Sequence, residues 1–400
     1  MSRFLLILVM LMMSGAACAP AEEAHDAATD TEVPSDDVTQ ADTAVAPDTT
    51  TPPDTTTPLD TTPSTDIATK PESLQIGEGA CCLSMSGDVV VWAEDGQIMI
   101  YDHKGATARV LVDSPGHATD PVVNQGKVVW VDDRLGDEDL WILDLEDEVA
   151  EVLLERPGRQ LQPSLWGKRV VWVAVEKGDI SNNANADIWT MDVTDPSSIR
   201  QLTFDDAEQT EPFVREGRIV WTDYSSDPDK AYTNIADPNM NNADIMGFDL
   251  ETDEHFVVTT DPSKQTRAVI EGDVVVWLDW RGINPEPKYS MFQVYGTVLG
   301  SGMEIQMAVS SWANEALWER PTLDAGQAAW ISEEVGFPFR TGIFVTRLDD
   351  THPTNVMEAE GQLQGISASG GMMAWMSESE IGLFELAPAL TAGRENDARP

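Results

Sequence analysis

The sequence predicts an all-β fold made of seven copies of one unit, and three recurring features carry that prediction. A short apolar strand that ends in tryptophan follows a glycine in every copy, as in GKVVW at 126–130. A second apolar strand that ends in aspartate comes next, as in DLWILD at 139–144. A proline stands nine residues before the tryptophan in four copies. These apolar runs are too short for helices and are bounded by turn residues, so they indicate strands.

The tryptophan-ended strand sets the period of the repeat. Its seven tryptophans are 38 to 56 residues apart and account for seven of the 13 in the chain. They are Trp92, Trp130, Trp172, Trp221, Trp277, Trp330 and Trp375. A repeat of this length with four strands is typical of a β-propeller blade. We therefore predict a seven-bladed β-propeller of four-stranded blades over residues 72–391, with the tryptophans packed between blades.

The repeat resembles the TolB-like (WD40-like) propeller repeats of bacterial envelope proteins. The resemblance lies in the proline-to-tryptophan spacing, the glycine before the VVW strand and the DLWILDL strand. It covers about 72–391 and is closest over 121–203 and 212–260. Beyond these ranges it is looser, and Ala268 takes the place of a proline. It implies a propeller of the bacterial envelope. It leaves the biochemical task open, because such propellers serve both as binding platforms and as parts of enzymes.

Two further expectations concern the strands at the ends of blades. The repeat prolines should mark the start of the first strand of a blade, because proline cannot donate to a ladder. These prolines are Pro121, Pro163, Pro212 and Pro321. The outer strand that completes the last blade should come from Glu72–Ile76 or from Ala387–Thr391.

The N-terminal segment is typical of export. Arg3 precedes an apolar run of ten residues, too short to span a bilayer, and Ser14 to Cys18 resembles a bacterial lipobox. We predict a signal peptide over 1–18 with Cys18 lipidated and, by resemblance, sorted to the outer membrane; secretion after cleavage near Ala17 or Ala19 is the alternative. Residues 19–71 are rich in Thr, Pro and Asp, which predicts a disordered linker. Residues 392–400 should form a tail.

The net charge of −46 limits the possible partners. Such an acidic chain is unsuited to nucleic acid and to a bare anionic membrane. We expect contact with a membrane only through the lipid anchor, and a monomer. Besides Cys18, the chain has only Cys81 and Cys82. These two cysteines could form a vicinal disulfide, remain free thiols or pair with another molecule.

One face of the propeller is the predicted binding surface. The connection between the second and third strands of a blade opens on the same face as the connection between blades, and it is long in the third, fourth and fifth blades. Binding residues concentrate on such loops. The candidate ligand contacts there are Asp223, Tyr224, Tyr232, Trp280, Arg281 and Tyr289. For Trp280, a packing role is the alternative.

Acidic turns raise the possibility of calcium. The turn 132–139 offers the carboxylates of Asp132, Asp133, Asp137 and Asp139. Calcium prefers oxygen ligands of this kind, but Asp is also an ordinary turn residue. Calcium is therefore a possible ligand here, no other cofactor is indicated, and plain turn chemistry is the alternative.

The function that the sequence favours is a non-catalytic envelope lipoprotein whose propeller is a protein- or glycan-binding platform. No HExxH zinc motif and no GxSxG nucleophile motif occurs in the sequence. The alternative is a carbohydrate-active propeller enzyme, a lyase or glycoside hydrolase, with acidic residues at the channel mouth.

Overall fold

A computed structural model of the chain describes residues 73–77, 79–175, 186–227, 242–281, 291–312, 319–334, 340–350, 353–360 and 362–386. Within these ranges the chain forms 28 strands, β1 to β28, and no helix. Consequently, no helix of the described residues could cross a bilayer. The strands form seven antiparallel blades, which confirms the predicted seven-bladed propeller.

The first four blades each contain four consecutive strands that pair in sequence order. Blade 1 comprises β2 (Cys81–Ser86), β3 (Val89–Glu94), β4 (Gln97–Asp102) and β5 (Thr107–Val112). Blade 2 comprises β6 (Ala118–Asn124), β7 (Lys127–Asp132), β8 (Asp139–Asp144) and β9 (Glu151–Leu154). Blade 3 comprises β10 (Arg159–Trp166), β11 (Arg169–Val175), β12 (Ala186–Asp192) and β13 (Asp195–Gln201). Blade 4 comprises β14 (Gln209–Arg215), β15 (Arg218–Asp223), β16 (Asp244–Asp249) and β17 (Glu254–Thr259).

Blades 5 and 6 are joined into one eight-stranded sheet. Blade 5 comprises β18 (Gln265–Glu271), β19 (Val274–Asp279), β20 (Met291–Val298) and β21 (Glu304–Trp312). Blade 6 comprises β22 (Thr322–Asp324), β23 (Gln327–Glu334), β24 (Arg340–Arg347) and β25 (Thr354–Glu360). Because β22 has only three residues, it leaves part of β23 unpaired, and the end of β21 pairs there at Trp312 and Glu333.

Blade 7 takes its strands from both ends of the described chain. It comprises β26 (Leu363–Ser369), β27 (Met372–Ser377), β28 (Glu380–Glu385) and β1 (Ser73–Gln75). β1 pairs antiparallel with β28, and Leu74 lies opposite Ile381. Of the two predicted closing segments, Glu72–Ile76 therefore supplies the outer strand. The other segment, Ala387–Thr391, lies outside the described residues.

The core lies between neighbouring blades. Each repeat tryptophan is at most 3% exposed, and each packs into an apolar cluster shared with the preceding blade. Trp130, for example, packs with Val91 and Ile98 of blade 1. The predicted packing role of the tryptophans is confirmed. A blade cannot cover its own faces, so the ring is stabilised by this mutual burial of apolar surface.

The repeat prolines lie inside the first strands rather than at their start, so that prediction was wrong for three of the four. Pro121, Pro163 and Pro212 lie within β6, β10 and β14, whereas Pro321 directly precedes β22. In those three strands the pairing with the second strand is shifted at the proline. A β-bulge interrupts the ladder, so a residue without an N–H group is tolerated there.

Candidate functional site

The first strands of the blades surround the axis of the propeller. β2, β6, β10, β14, β18, β22 and β26 contact one another in that order, and β26 returns to β2. In the first five of these strands the ladder contains a bulge. A non-glycine residue at each bulge has a φ angle between 49° and 63°. These residues are Cys82, Asp120, Gln162, Glu211 and Arg267.

We call these five residues together with Arg320 the channel ring. Arg320 precedes Pro321 as Asp120 precedes Pro121, so it holds the same place in the repeat. Bulges redirect side chains, and left-handed backbone at non-glycine residues, which costs about 1–3 kcal/mol each, concentrates at functional sites. The ring lies near the start of the first strands. It is therefore close to the face that carries the connections between blades and between second and third strands, which we call the loop face.

Glu211 is the centre of the hydrogen-bond network in this ring. Its carboxylate accepts hydrogen bonds from the backbone N (3.1 Å) and Nε (3.0 Å) of Arg267 and from Thr222 Oγ1 (2.9 Å). Its backbone N donates to Gln162 Oε1 at 2.8 Å, and its backbone O accepts from Arg320 Nη2 at 2.9 Å. One hydrogen-bonded arc therefore connects blades 3 to 6 across the channel.

The protein environment shifts the pKa of several groups in this arc. Burial alone would raise the pKa of Glu211, but Arg267 and Arg320 outweigh it and the pKa lies below its ordinary value. Burial lowers the pKa of Arg320 to about 10. Burial also raises the pKa of Glu319, which precedes Arg320. The arc thus places an ionised carboxylate and a more easily protonated one beside two arginines.

The opposite side of the ring carries a thiol and a carboxyl group. Burial raises the pKa of Asp120, against the hydrogen bonds from Cys82 and Thr119. Cys82 Sγ lies 3.8 Å from Thr119 Oγ1. The sulfur atoms of Cys81 and Cys82 lie 2.7 Å apart. The vicinal disulfide stays a prediction.

Arg215 lies at the far end of the channel, where β14 ends. Its guanidinium donates to the backbone O of Leu323 at 2.6 Å, bonds to Asp324 at 3.2 Å and pairs with Glu271. It also lies over the ring of Trp166, 4.9 Å from the centroid. A blade 4 side chain therefore contacts blades 3, 5 and 6 at the end of the channel away from the loop face.

The predicted contacts on the loop face are placed as follows. Asp223, Tyr224 and Trp280 are 5%, 4% and 5% exposed. Trp280 packs against Phe292, with ring centroids 6.2 Å apart, in the core between blades 5 and 6. Arg281 binds Asp279, and Tyr232 and Tyr289 lie outside the described residues. The ligand role of these residues stays a prediction. Trp280 lies in a packed apolar environment, as expected under the alternative that it packs rather than binds a ligand.

Asp223 and Asp279 belong to a repeated hydrogen-bond arrangement. In three blades the tryptophan indole donates to the aspartate two residues later: Trp130 to Asp132 (3.2 Å), Trp221 to Asp223 (3.0 Å) and Trp277 to Asp279 (2.9 Å). In blade 1, Trp92 donates to Glu94 in the same way, at 2.8 Å. In blades 2 and 5 an arginine two residues further on pairs with the same carboxylate. The carboxylates at the strand ends are therefore buried partners of the tryptophans.

The four predicted calcium ligands of the turn 132–139 differ in burial and in hydrogen-bond partners. Asp132 is fully buried and binds Trp130, Arg134 and Ser114 Oγ. Asp139 is buried opposite Asp132, and Asp133 accepts from the backbone N of His117 at 2.7 Å. Across the described ranges, no group of three or more His, Cys, Asp or Glu side chains is arranged to hold a metal. Calcium at the turn 132–139 stays a prediction.

The sequence reasoning did not select the channel ring. Four of its members directly precede a repeat proline, and in three of these the residue before the ring member is Thr or Leu, as in Thr119–Pro121 and Thr210–Pro212. Polar residues at one fixed place before the proline, in strands that are otherwise apolar, are the signal that could have identified it.

The fold that these observations define is that of a seven-bladed β-propeller, and solved structures agree with it. An oligogalacturonate lyase from Vibrio parahaemolyticus aligns with a TM-score of 0.56 and 8% identity, covering 79% of this chain and 96% of the lyase. A puromycin-hydrolyzing peptidase from Mycobacterium tuberculosis aligns with a TM-score of 0.55 and 14% identity, covering 77% of this chain and 51% of the peptidase. This chain thus spans about half of the peptidase's length.

TolB from Acinetobacter baumannii also aligns, with a TM-score of 0.45 and 17% identity over 67% of this chain and 61% of that one. No family model and no curated protein matches the sequence. Identities this low mean that the similarity extends to the fold alone.

Proposed function

We propose that this protein is a binding platform for a protein or glycan, with its ligand bound at the channel mouth on the loop face. The observation that carries the proposal is the channel ring. Five bulges hold polar or thiol side chains in a left-handed backbone conformation around one channel. Packing between blades is supplied instead by the apolar residues that follow Arg267 in the same strand, Ala268 and Val269, which are buried in the apolar clusters.

The chemistry of the ring suits a ligand with alternating hydrogen-bond donors and acceptors. Arg267 and Arg320 supply donors beside the carboxylate oxygens of Glu211 and Glu319. Two arginines and two carboxylates offset each other, so this part of the ring favours no strongly charged ligand. Peptide groups and sugar hydroxyls both match such a surface.

A carbohydrate-active enzyme is the second candidate function. The raised pKa of Glu319 beside Arg267 is the specific observation in its favour, because perturbed acids in clefts are candidates for proton transfer. A lyase on oligogalacturonate is among the proteins of similar fold. The decisive measurement is turnover of acidic oligosaccharides by purified protein: product that disappears in Glu319→Gln supports the enzyme, whereas binding without product supports the platform.

The binding proposal is tested with two matched arginine substitutions. Arg267→Gln removes a guanidinium hydrogen-bond donor from the channel ring, whereas Arg347→Gln removes an exposed arginine that pairs with Asp349. Ligands are identified by glycan array and by crosslinking in intact cells, and the affinity of each is then measured for both variants. We expect about a tenfold loss for Arg267→Gln, equivalent to about 1.4 kcal/mol, and no change for Arg347→Gln. Equal affinities of the two variants, both folded, would contradict the proposed site.

We further propose that the propeller belongs to an outer-membrane lipoprotein of the cell envelope, anchored at Cys18 and held away from the bilayer by residues 19–71. The support is the N-terminal export segment and the Thr, Pro and Asp composition of the linker. Secretion without a lipid is the alternative. Mass spectrometry of the N-terminal peptide tests this, and Cys18→Ser should release the protein from membranes. A Cys18→Ser protein that remains membrane-bound would exclude the lipid anchor.

A further inference from the structure

The ends of the second strands in blades 2 and 4 share one arrangement but differ in charge. In blade 2, Asp132 ends β7 and lies opposite Asp139, the first residue of β8. In blade 4, Asp223 ends β15 and lies opposite Asp244, the first residue of β16. All four carboxylates are at most 5% exposed. Directly opposed residues have Cβ atoms about 4.5–5.5 Å apart, so each blade buries a close pair of carboxylates.

An arginine offsets the pair in blade 2. Arg134 donates through its backbone N to Asp132 at 3.0 Å and pairs with the same carboxylate through its guanidinium. Burial would raise the pKa of Asp132, but Arg134 and the other donors outweigh it and the pKa is lowered. Blade 5 uses the same device, because Arg281 pairs with Asp279. A guanidinium is thus the counter-charge at this position in blades 2 and 5.

Blade 4 has Ser225 where the other two blades have the arginine. The backbone N of Ser225 donates to Asp223 at 2.9 Å, as Arg134 does in blade 2, but the serine brings no positive charge. Within the described part of the chain, no Lys, Arg or His forms an ion pair with Asp223 or Asp244. Burial, together with the neighbouring Asp223 and Asp261, raises the pKa of Asp244.

One oxygen of Asp244 also lacks a hydrogen-bond donor. Asp244 Oδ2 accepts from Ser226 Oγ at 2.5 Å, whereas the buried Oδ1 has no partner. Gln209, opposite Asp223 on the other side, is fully buried and its Oε1 also has no donor. Gln265 has the same place in blade 5 and the same unpaired oxygen, so Asp244 Oδ1 is the feature particular to blade 4. An unpaired buried acceptor in a native protein calls for an explanation, and a bound ion or water is one.

We propose that blade 4 binds a calcium ion between Asp223 and Asp244, with Gln209 Oε1 as a further ligand, and that this ion replaces the arginine of blades 2 and 5. The donor atoms are all oxygens, which suits calcium. Two carboxylates supply only part of the six to eight ligands that calcium takes, and backbone oxygens and water supply the rest. A third buried carboxylate, Asp227, lies in the same connection and adds to the negative charge.

Four proteins test this proposal: the wild type, Asp244→Asn, the matched blade 2 variant Asp139→Asn, and Ser225→Arg. Each is freed of metal with a chelator and titrated with calcium chloride by calorimetry, with magnesium chloride as the comparison. Thermal unfolding is measured with and without calcium. Asp244→Asn relieves repulsion in the metal-free protein, so we expect it to fold.

We expect the wild type to bind one calcium ion in blade 4 and to unfold at a higher temperature when calcium is present. Asp244→Asn should weaken binding at least tenfold, and Asp139→Asn should change it less than twofold. Ser225→Arg should raise the melting temperature of the metal-free protein and remove its response to calcium. The proposal is overturned if calcium gives neither heat nor a shift in the wild type. It is equally overturned if Asp139→Asn, rather than Asp244→Asn, removes the response.

Discussion

The buried aspartate at the end of the tryptophan strand should be a major source of stability, and Asp279→Ala tests this. Asp279 is fully buried and accepts four hydrogen bonds. Trp277 Nε1 donates at 2.9 Å, and Arg281 donates through its backbone N (2.8 Å), Nε (3.0 Å) and Nη2 (2.7 Å). The alanine would leave an indole N–H and a largely buried guanidinium without this partner.

The expected loss can be worked from these contacts. An unsatisfied buried donor costs about 1–3 kcal/mol, and breaking a buried ion pair costs about 3–5 kcal/mol. Arg281 is 19% exposed in its side chain and keeps Glu304 as a partner, so its share lies at the lower end. We therefore expect Asp279→Ala to lower the free energy of unfolding by about 3–5 kcal/mol.

The measurement is equilibrium unfolding in urea, followed by tryptophan fluorescence. Asp349→Ala is the control, because Asp349 is 79% exposed and, among the described residues, pairs with Arg347 alone, at 3.3 Å. An exposed pair of this kind contributes about 0–1 kcal/mol. A loss below about 1 kcal/mol for Asp279→Ala, no larger than that for the control, would refute the stabilising role of the buried carboxylate. Trp277→Phe in both backgrounds then isolates the indole contribution as a coupling energy.

Three further outcomes follow from the channel and from ring closure. Glu319→Gln should raise the melting temperature at pH 7, because the raised pKa of Glu319 means that its ionised form destabilises the folded state. This increase in melting temperature should vanish below about pH 4, where Glu319 is protonated in both the folded and the unfolded state. Glu211→Gln should show the opposite sign. Its lowered pKa contributes stability above the unfolded value, which is lost as pH falls through the folded pKa. The difference in melting temperature between wild type and variant should therefore shrink as the pH falls below about 4. Leu74→Asp in β1 should lower the free energy of unfolding by about 1.5–3 kcal/mol, because Leu74 packs against the core between blades 7 and 1. The exposed neighbour Ser73→Asp should change it little, and equal effects would argue against closure by β1.

The repeating parts of the fold could be predicted from the sequence because the residue types of each strand show which of its faces are buried. The run before Trp130 is apolar on both faces, and a strand needs such a run only when it is covered on both sides. The same logic located β4, β8, β12 and β16 from their aspartate-ended runs. Blade 6 fits less closely because β22 is short and its role is partly taken by β21, which no local pattern reveals.

The site was less predictable, for two physical reasons. A bulge breaks the alternation of side chains along a strand, so the position of Glu211 facing the channel cannot be read from a period of two. Charged residues at strand ends are normally solvated, so the sequence placed Asp132 in an acidic turn and Asp223 among the ligand contacts of a loop. Their burial depends on an indole N–H two residues earlier, a partner that only the folded blade brings into position.

The way blade 7 is closed affects how the chain can be assembled and opened. β1 is synthesised before every other described strand, yet its partner β28 is synthesised last. Until the two meet, an open arc of sheets exposes unpaired edges at both ends, which favours pairing with other chains. Contacts this distant in sequence also form slowly. A force that pulls on the N-terminal segment would act first on the three residue pairs between β1 and β28. We therefore expect β1 to separate from β28 while the other six blades stay folded.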